Sequence, residues 1–172
     1  MDWKKINEKT IRKGFRSLIE RVFELPDGNI AYFDIKKEGP AVCIVPLTKD
    51  NEVILFKQFR PGPEKVLLEL PGGGFENRES PKQAATRELL EETGYVGNLQ
   101  LVCVSWDDAY STMIRYNFVA TNCQKQQDPS LDEGEFGEVV KLSLEKFREH
   151  IRTGELTDIE SAYLGLDYLH LL

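Results

Sequence analysis

The sequence predicts an α/β chain, a mixed sheet covered by helices on both faces, with a small antiparallel β extension at its N-terminus. Three observations lead there. The run Ala41-Val42-Cys43-Ile44-Val45-Pro46-Leu47 is apolar throughout, as in a central strand buried on both faces. Gly72, Gly73 and Gly74 lead into a sharply bounded helix between Ser80 and Gly94. Two further helical patterns close the chain after Ser143 and Thr157. With 172 residues, 41% of them hydrophobic, there is material for one sizeable core.

Residues 1–40 read as the extension and 41–172 as the main domain. Residues 17–25 alternate apolar and polar side chains, Pro26-Asp27-Gly28-Asn29 is a turn signal, and 30–35 returns as a strand. A lone hairpin buries too little to be stable, so it must pack on the main body or on a second chain. Asp50-Asn51 turns the central strand into a second one over 53–59, from which Arg60 emerges. A short strand over 66–70 feeds the glycines. Strands follow at 99–104 and 116–120, joined by an aromatic and polar segment over 105–112. The acidic loop 128–135 precedes a strand over 136–142. Ser143 caps a helix ending at Gly154, and Thr157-Asp158-Ile159-Glu160 reads as the capping box of the last helix. His150 and His170 fall in these helices as surface or packing residues.

The loop–helix unit carries the densest signal. Consecutive glycines let a backbone approach a ligand closely. Ser80 suits the N-cap, Pro81 the first helical position, Gln83 the capping box and Gly94 the C-terminal stop. Glu88, Glu91 and Glu92 stand at i, i+3 and i+4, so they share one face, and Ala84 and Ala85 one turn earlier leave room beside them. Like charges so spaced cost a helix about 0.2–0.5 kcal/mol per pair. On an anonymous helix this is a solvated acidic face. Beside a glycine loop, oxygen donors of this density suit a hard divalent cation that also takes substrate phosphates.

The residues run Gly73, five residues, Glu79, seven residues, then Arg87-Glu88-Leu89-Leu90-Glu91-Glu92-Thr93-Gly94-Tyr95. This pattern resembles the Nudix box, with Tyr95 where an aliphatic residue is usual. Gln58-Phe59-Arg60 and Gly154-Glu155-Leu156-Thr157-Asp158 resemble the ADP-ribose pyrophosphatase branch of the Nudix hydrolases. The resemblance implies a Nudix-type α/β/α sandwich that cleaves the pyrophosphate bond of a nucleoside diphosphate linked to another group, ADP-ribose or an ADP-sugar foremost. It implies Mg2+, with Mn2+ as substitute, held by Glu88, Glu91, Glu92, Glu135 and the Gly72 carbonyl. Bound cations would neutralise phosphate oxygens and acidify a water, whose proton passes to a general base: Glu91, Glu133 or Glu135. Arg60 resembles the phosphate-contacting arginine, Glu76 lies close to the site, and Glu79 and Arg87 form a structural pair. In this branch the N-terminal sheet mediates dimerisation, which implies a homodimer.

Substrate choice falls to the segment holding Trp106 and Tyr110. These read either as packing residues or as rings that stack on a nucleobase. The branch usually carries a proline here. This chain has none between Tyr95 and Asp128, and Tyr110 stands in its place. Tyr110 favours a second reading, a hydrolase of dinucleoside polyphosphates or damaged nucleotides; the flanks favour the first. A third, a non-catalytic module that senses ADP-ribose, is disfavoured by the complete set of box glutamates.

The formal charge of −7 disfavours nucleic acid or an anionic membrane as partner. No apolar run approaches the ~20 residues of a membrane span, and the N-terminus lacks a signal-peptide core. Cys43, Cys103 and Cys123 show no metal-site spacing and read as free thiols of a cytoplasmic protein, and the partner the resemblance implies is a small-molecule nucleoside diphosphate.

Overall fold

The computed structural model describes the whole chain except residues 1, 15, 132, 133 and 135. It divides into two compact units, Met1–Pro40 with Ser105–Arg115, and Ala41–Val104 with Tyr116–Leu172.

The first unit is a three-stranded antiparallel sheet in the order β1 (Lys4–Arg12), β2 (Ser17–Glu24), β3 (Ile30–Lys37). Ile19 of β2 and Ile35 of β3 stand opposite each other and are buried on one face, while Val22, three residues on, is buried on the other. The sequence reading of residues 1–40 as a hairpin is corrected by β1. Every residue of that strand is exposed, so it carries none of the periodic burial that marks a strand. Segment 105–115 docks on β3. The Lys36 N–H donates to the Tyr110 carbonyl (2.8 Å), the Thr112 N–H donates to the Lys36 carbonyl (2.9 Å), and Lys36 and Ser111 form a parallel bridge.

The second unit is built on a mixed sheet in the order β10 (Gly137–Ser143), β5 (Glu52–Arg60), β4 (Ala41–Thr48), β9 (Ile114–Lys125), β8 (Tyr95–Trp106). Two short strands complete it: β6 (Lys65–Glu69) on β5 and β7 (Gly72–Gly74) on β4. Alternation along β4 divides the core. Cys43, Val45 and Leu47 pack with Phe147 and Ile151 of α2 (Leu144–Thr153) and with Ala162 and Leu166 of α3 (Ile159–Tyr168). Val42 and Ile44 point the other way, against Ala84, Ala85 and Leu89 of α1 (Pro81–Thr93). The predicted α/β/α layering is therefore present. Each large apolar side chain buried in these layers contributes about 1.5–3 kcal/mol.

Three expectations change. Ala84 and Ala85 are 0% exposed. They are small because α1 lies flat on the sheet, not to leave room beside the carboxylates. The glycine triplet is a strand, pairing Gly72 with Cys43 and Gly73 with Val42, and a Cβ on Gly72 would overlap the Val42 carbonyl. Thr157 does not cap α3, whose N-cap Asp158 makes no side-chain cap bond; the Thr157 hydroxyl donates to Glu69 instead.

The ends of α1 follow the sequence signals. Ser80 accepts from the Gln83 N–H while the Gln83 side chain accepts from the Ser80 N–H, and Gly94 closes the helix at φ 75°. A Cβ at Gly94 would also overlap the Gln127 carbonyl. Gly94→Ala is therefore expected to lower the unfolding free energy by about 1–3 kcal/mol, read from urea denaturation.

Candidate active site

One cavity of about 340 Å³ lies where β7, α1 and the end of β5 meet. Of the residues singled out in the sequence, Arg60, Gly72, Glu76, Glu88, Glu91 and Glu92 line it together. Gln58, Phe75 and Ser130 line it too, without a sequence assignment. Gln58 was legible: two residues before Arg60 on a strand, it shares that face. Ser130 comes in through its backbone, its N–H donating to the Glu91 carbonyl (2.8 Å).

Backbone geometry draws the acidic helix to the glycine strand. Gly73 lies so close to the Glu88 carboxylate that any Cβ would overlap it. The Gly72 N–H donates to Glu92 Oε2 (2.9 Å), which holds a carboxylate only 8% exposed. Arg87 ties the rest. Its Nε and Nη2 donate to the two Glu79 oxygens (2.8 and 3.1 Å), Nη2 also donates to the Gly74 carbonyl (2.9 Å), and Nη1 donates to Glu88 and Glu91 (2.9 Å each). The fork thus neutralises part of the repulsion among the box glutamates. These bonds, those to Glu79 foremost, push the Arg87 pKa up, and Arg87 holds the Glu79 carboxyl below its ordinary range.

Among the described residues, no three His, Cys, Asp or Glu side chains stand close enough to ligate one ion in this arrangement. Arg87 Nη1 engages Glu88 and Glu91, while Glu92 faces Gly72. The donor set itself fits a hard divalent cation: carboxylate and backbone oxygens around a single cavity.

Glu133 and Glu135 lie outside the described residues. Trp106 and Tyr110 belong to the N-terminal unit. Trp106 is 70% exposed, and Tyr110 sets its ring against Phe33 with centroids 6.4 Å apart. His150 packs against β6, with Nε2 2.7 Å from the Leu68 carbonyl oxygen.

The Glu79–Arg87 pair gives a pH signature. A carboxyl whose folded pKa is depressed stabilises fully above its unfolded value and loses that contribution as pH falls through the folded value. Urea unfolding should therefore show wild type more stable than Glu79→Gln above the ordinary value of 4.5, with the gap closing as pH falls below it. A gap that widens in acid would contradict the ion pair.

The sequence model described as the NUDIX domain matches residues 37–159. The ADP-ribose pyrophosphatase of Bacillus subtilis (strain 168) is 32% identical, over 98% of this chain and 95% of that protein. The methanol dehydrogenase activator of Bacillus methanolicus is 30% identical, over 86% of this chain and 81% of that one. A crystal structure of an ADP compounds hydrolase shares the fold, with a TM-score of 0.80 at 20% identity, over 100% of this chain and 98% of that chain. Nudix hydrolases generally need divalent metal ions. With the domain matched across most of its length and glutamates, arginine and glycines gathered at one cavity, the chain belongs to the NUDIX family.

Proposed function

We propose that this chain is a Mg2+-dependent pyrophosphohydrolase that cleaves ADP-ribose or an ADP-sugar into AMP and a sugar phosphate, Mn2+ serving in place of Mg2+. The observation that carries the reading is the single cavity lined by Glu76, Glu88, Glu91, Glu92, the glycine backbone and Arg60. Anionic donors alone would repel a diphosphate; together with two arginines, Arg60 and Arg87, they suit a diphosphate that arrives with a cation. The relative named ADP-ribose pyrophosphatase, similar along nearly the whole chain, supports the substrate class.

Glu88, Glu91, Glu92, Glu135 and the Gly72 carbonyl would hold the metal. When bound, it supplies charge neutralisation at the phosphate oxygens and acidification of the attacking water. Arg60 grips a phosphate oxygen with its guanidinium fork, and Glu76 lines the same cavity. Glu91, Glu133 or Glu135 takes the water's proton as the P–O bond to the leaving phosphate breaks. Trp106 and Tyr110 are the rings assigned to the nucleobase.

The protein acts in the cytoplasm as a homodimer joined through the extension of residues 1–40. Three free cysteines suit a reducing compartment. Strand β1, exposed along its whole length at a sheet edge, suits a partner strand. No helix among the described residues is long and apolar enough to cross a membrane. Sedimentation should give a mass near twice the 19.7 kDa of one chain, and a single-chain mass removes the dimer.

A screen of nucleoside diphosphate compounds with and without Mg2+, products separated by chromatography, tests the activity. ADP-ribose or an ADP-sugar should be the best substrate, with no turnover in chelator. Glu92→Gln should lower kcat about 100-fold or more while thermal melting shows a folded protein. At saturating Mg2+, the general base is whichever of Glu133 and Glu135 costs about 100-fold or more in kcat when changed to Gln. If neither slows turnover, Glu91 is the base.

A further inference from the structure

Arg60 leaves the end of β5 at the cavity, and a carboxylate shut off from solvent holds its side chain. Glu69, 0% exposed on β6, accepts from Arg60 Nε through Oε2 and from the Thr157 hydroxyl through Oε1. A carboxylate withdrawn from water is costly unless charge and hydrogen bonds compensate it. Both oxygens of Glu69 are compensated, one by each partner. Thr157, next to the N-cap of α3, gives its hydroxyl to Glu69 and leaves that helix without a side-chain cap.

The choice of nitrogen matters. Because Glu69 takes Nε, the two Nη groups are not committed to it, and they form the fork that matches a phosphate. A long side chain fixed before its ligand arrives loses less freedom on binding. We propose that Glu69 and Thr157 are positioning residues for Arg60. Thr157 orients the Glu69 carboxylate, and Glu69 sets the guanidinium so that its Nη edge is presented to a phosphate of the substrate. This rests on the diphosphate reading of the cavity.

A double-mutant cycle tests it, using calorimetric affinity for the non-hydrolysable α,β-methylene analogue of ADP-ribose at fixed Mg2+. Arg60→Ala and Glu69→Gln should each weaken binding about tenfold. In the Arg60→Ala background, Glu69→Gln should add less than about twofold, because it acts only through the missing arginine. Unchanged affinity in Glu69→Gln, or its full loss repeated without Arg60, overturns the inference. If Glu69→Gln does not fold, Thr157 decides. Thr157→Val should weaken binding about threefold, and Thr157→Ser, which keeps the hydroxyl, should bind as wild type does. Equal affinity for wild type and Thr157→Val then overturns the inference. Failure of the substrate reading shows separately, as wild-type protein that turns over no ADP-ribose. Inorganic pyrophosphate then replaces the analogue in the same cycle.

Discussion

The site depends on one guanidinium. Three glutamates within five residues of a helix repel one another, yet Glu88, Glu91 and Glu92 all line one cavity. Arg87 reconciles the two demands by donating to Glu88, Glu91, both oxygens of Glu79 and the Gly74 carbonyl. Loop, strand and helix are thus joined at a point where removal of one partner would strand several charges. The same bonds draw Glu88 and Glu91 toward Arg87.

The sheet decides where that network sits. Along β4, odd-numbered residues face α2 and α3 and even-numbered ones face α1. Ala84, Ala85 and Leu89 lie against the even face. The glycine strand pairs with the same β4 and has no side chains to hold the helix off. Gly72 meets the Val42 carbonyl and Gly73 meets the Glu88 carboxylate, so two glycines bring backbone and carboxylate as close as atoms allow.

Legibility in the sequence followed burial and local chemistry. The strands β4 and β5, the caps of α1 and the C-terminal stop of α2 were readable because each signal is carried by neighbouring residues. The Glu79–Arg87 pair was readable through the motif it belongs to. Strand β1 was not, since its residues are exposed on both faces and its hydrogen bonds leave no trace in side-chain pattern. Thr157 was misread because a capping box and a hydroxyl recruited from afar look the same in sequence. Only the fold brings Glu69, 88 residues earlier, beside it. Gln58 lies on the same strand face as Arg60, so the period of the strand points to it as a second lining residue.

Segment 105–115, which carries Trp106 and Tyr110, is built into the first unit. Main-chain bonds to Lys36 hold it, the Lys36 ammonium meets Asp107 and Asp108, and Glu38 accepts from the Ser111 hydroxyl (3.0 Å). A gene fragment encoding only 41–172 would therefore make a chain whose aromatic segment has lost its template. The amino-terminal sheet is not an ornament to be trimmed for crystallisation or grafted between homologues at will. Lys36 and Glu38 thus hold a region some seventy positions downstream, and variation in that region is tied to variation in β3.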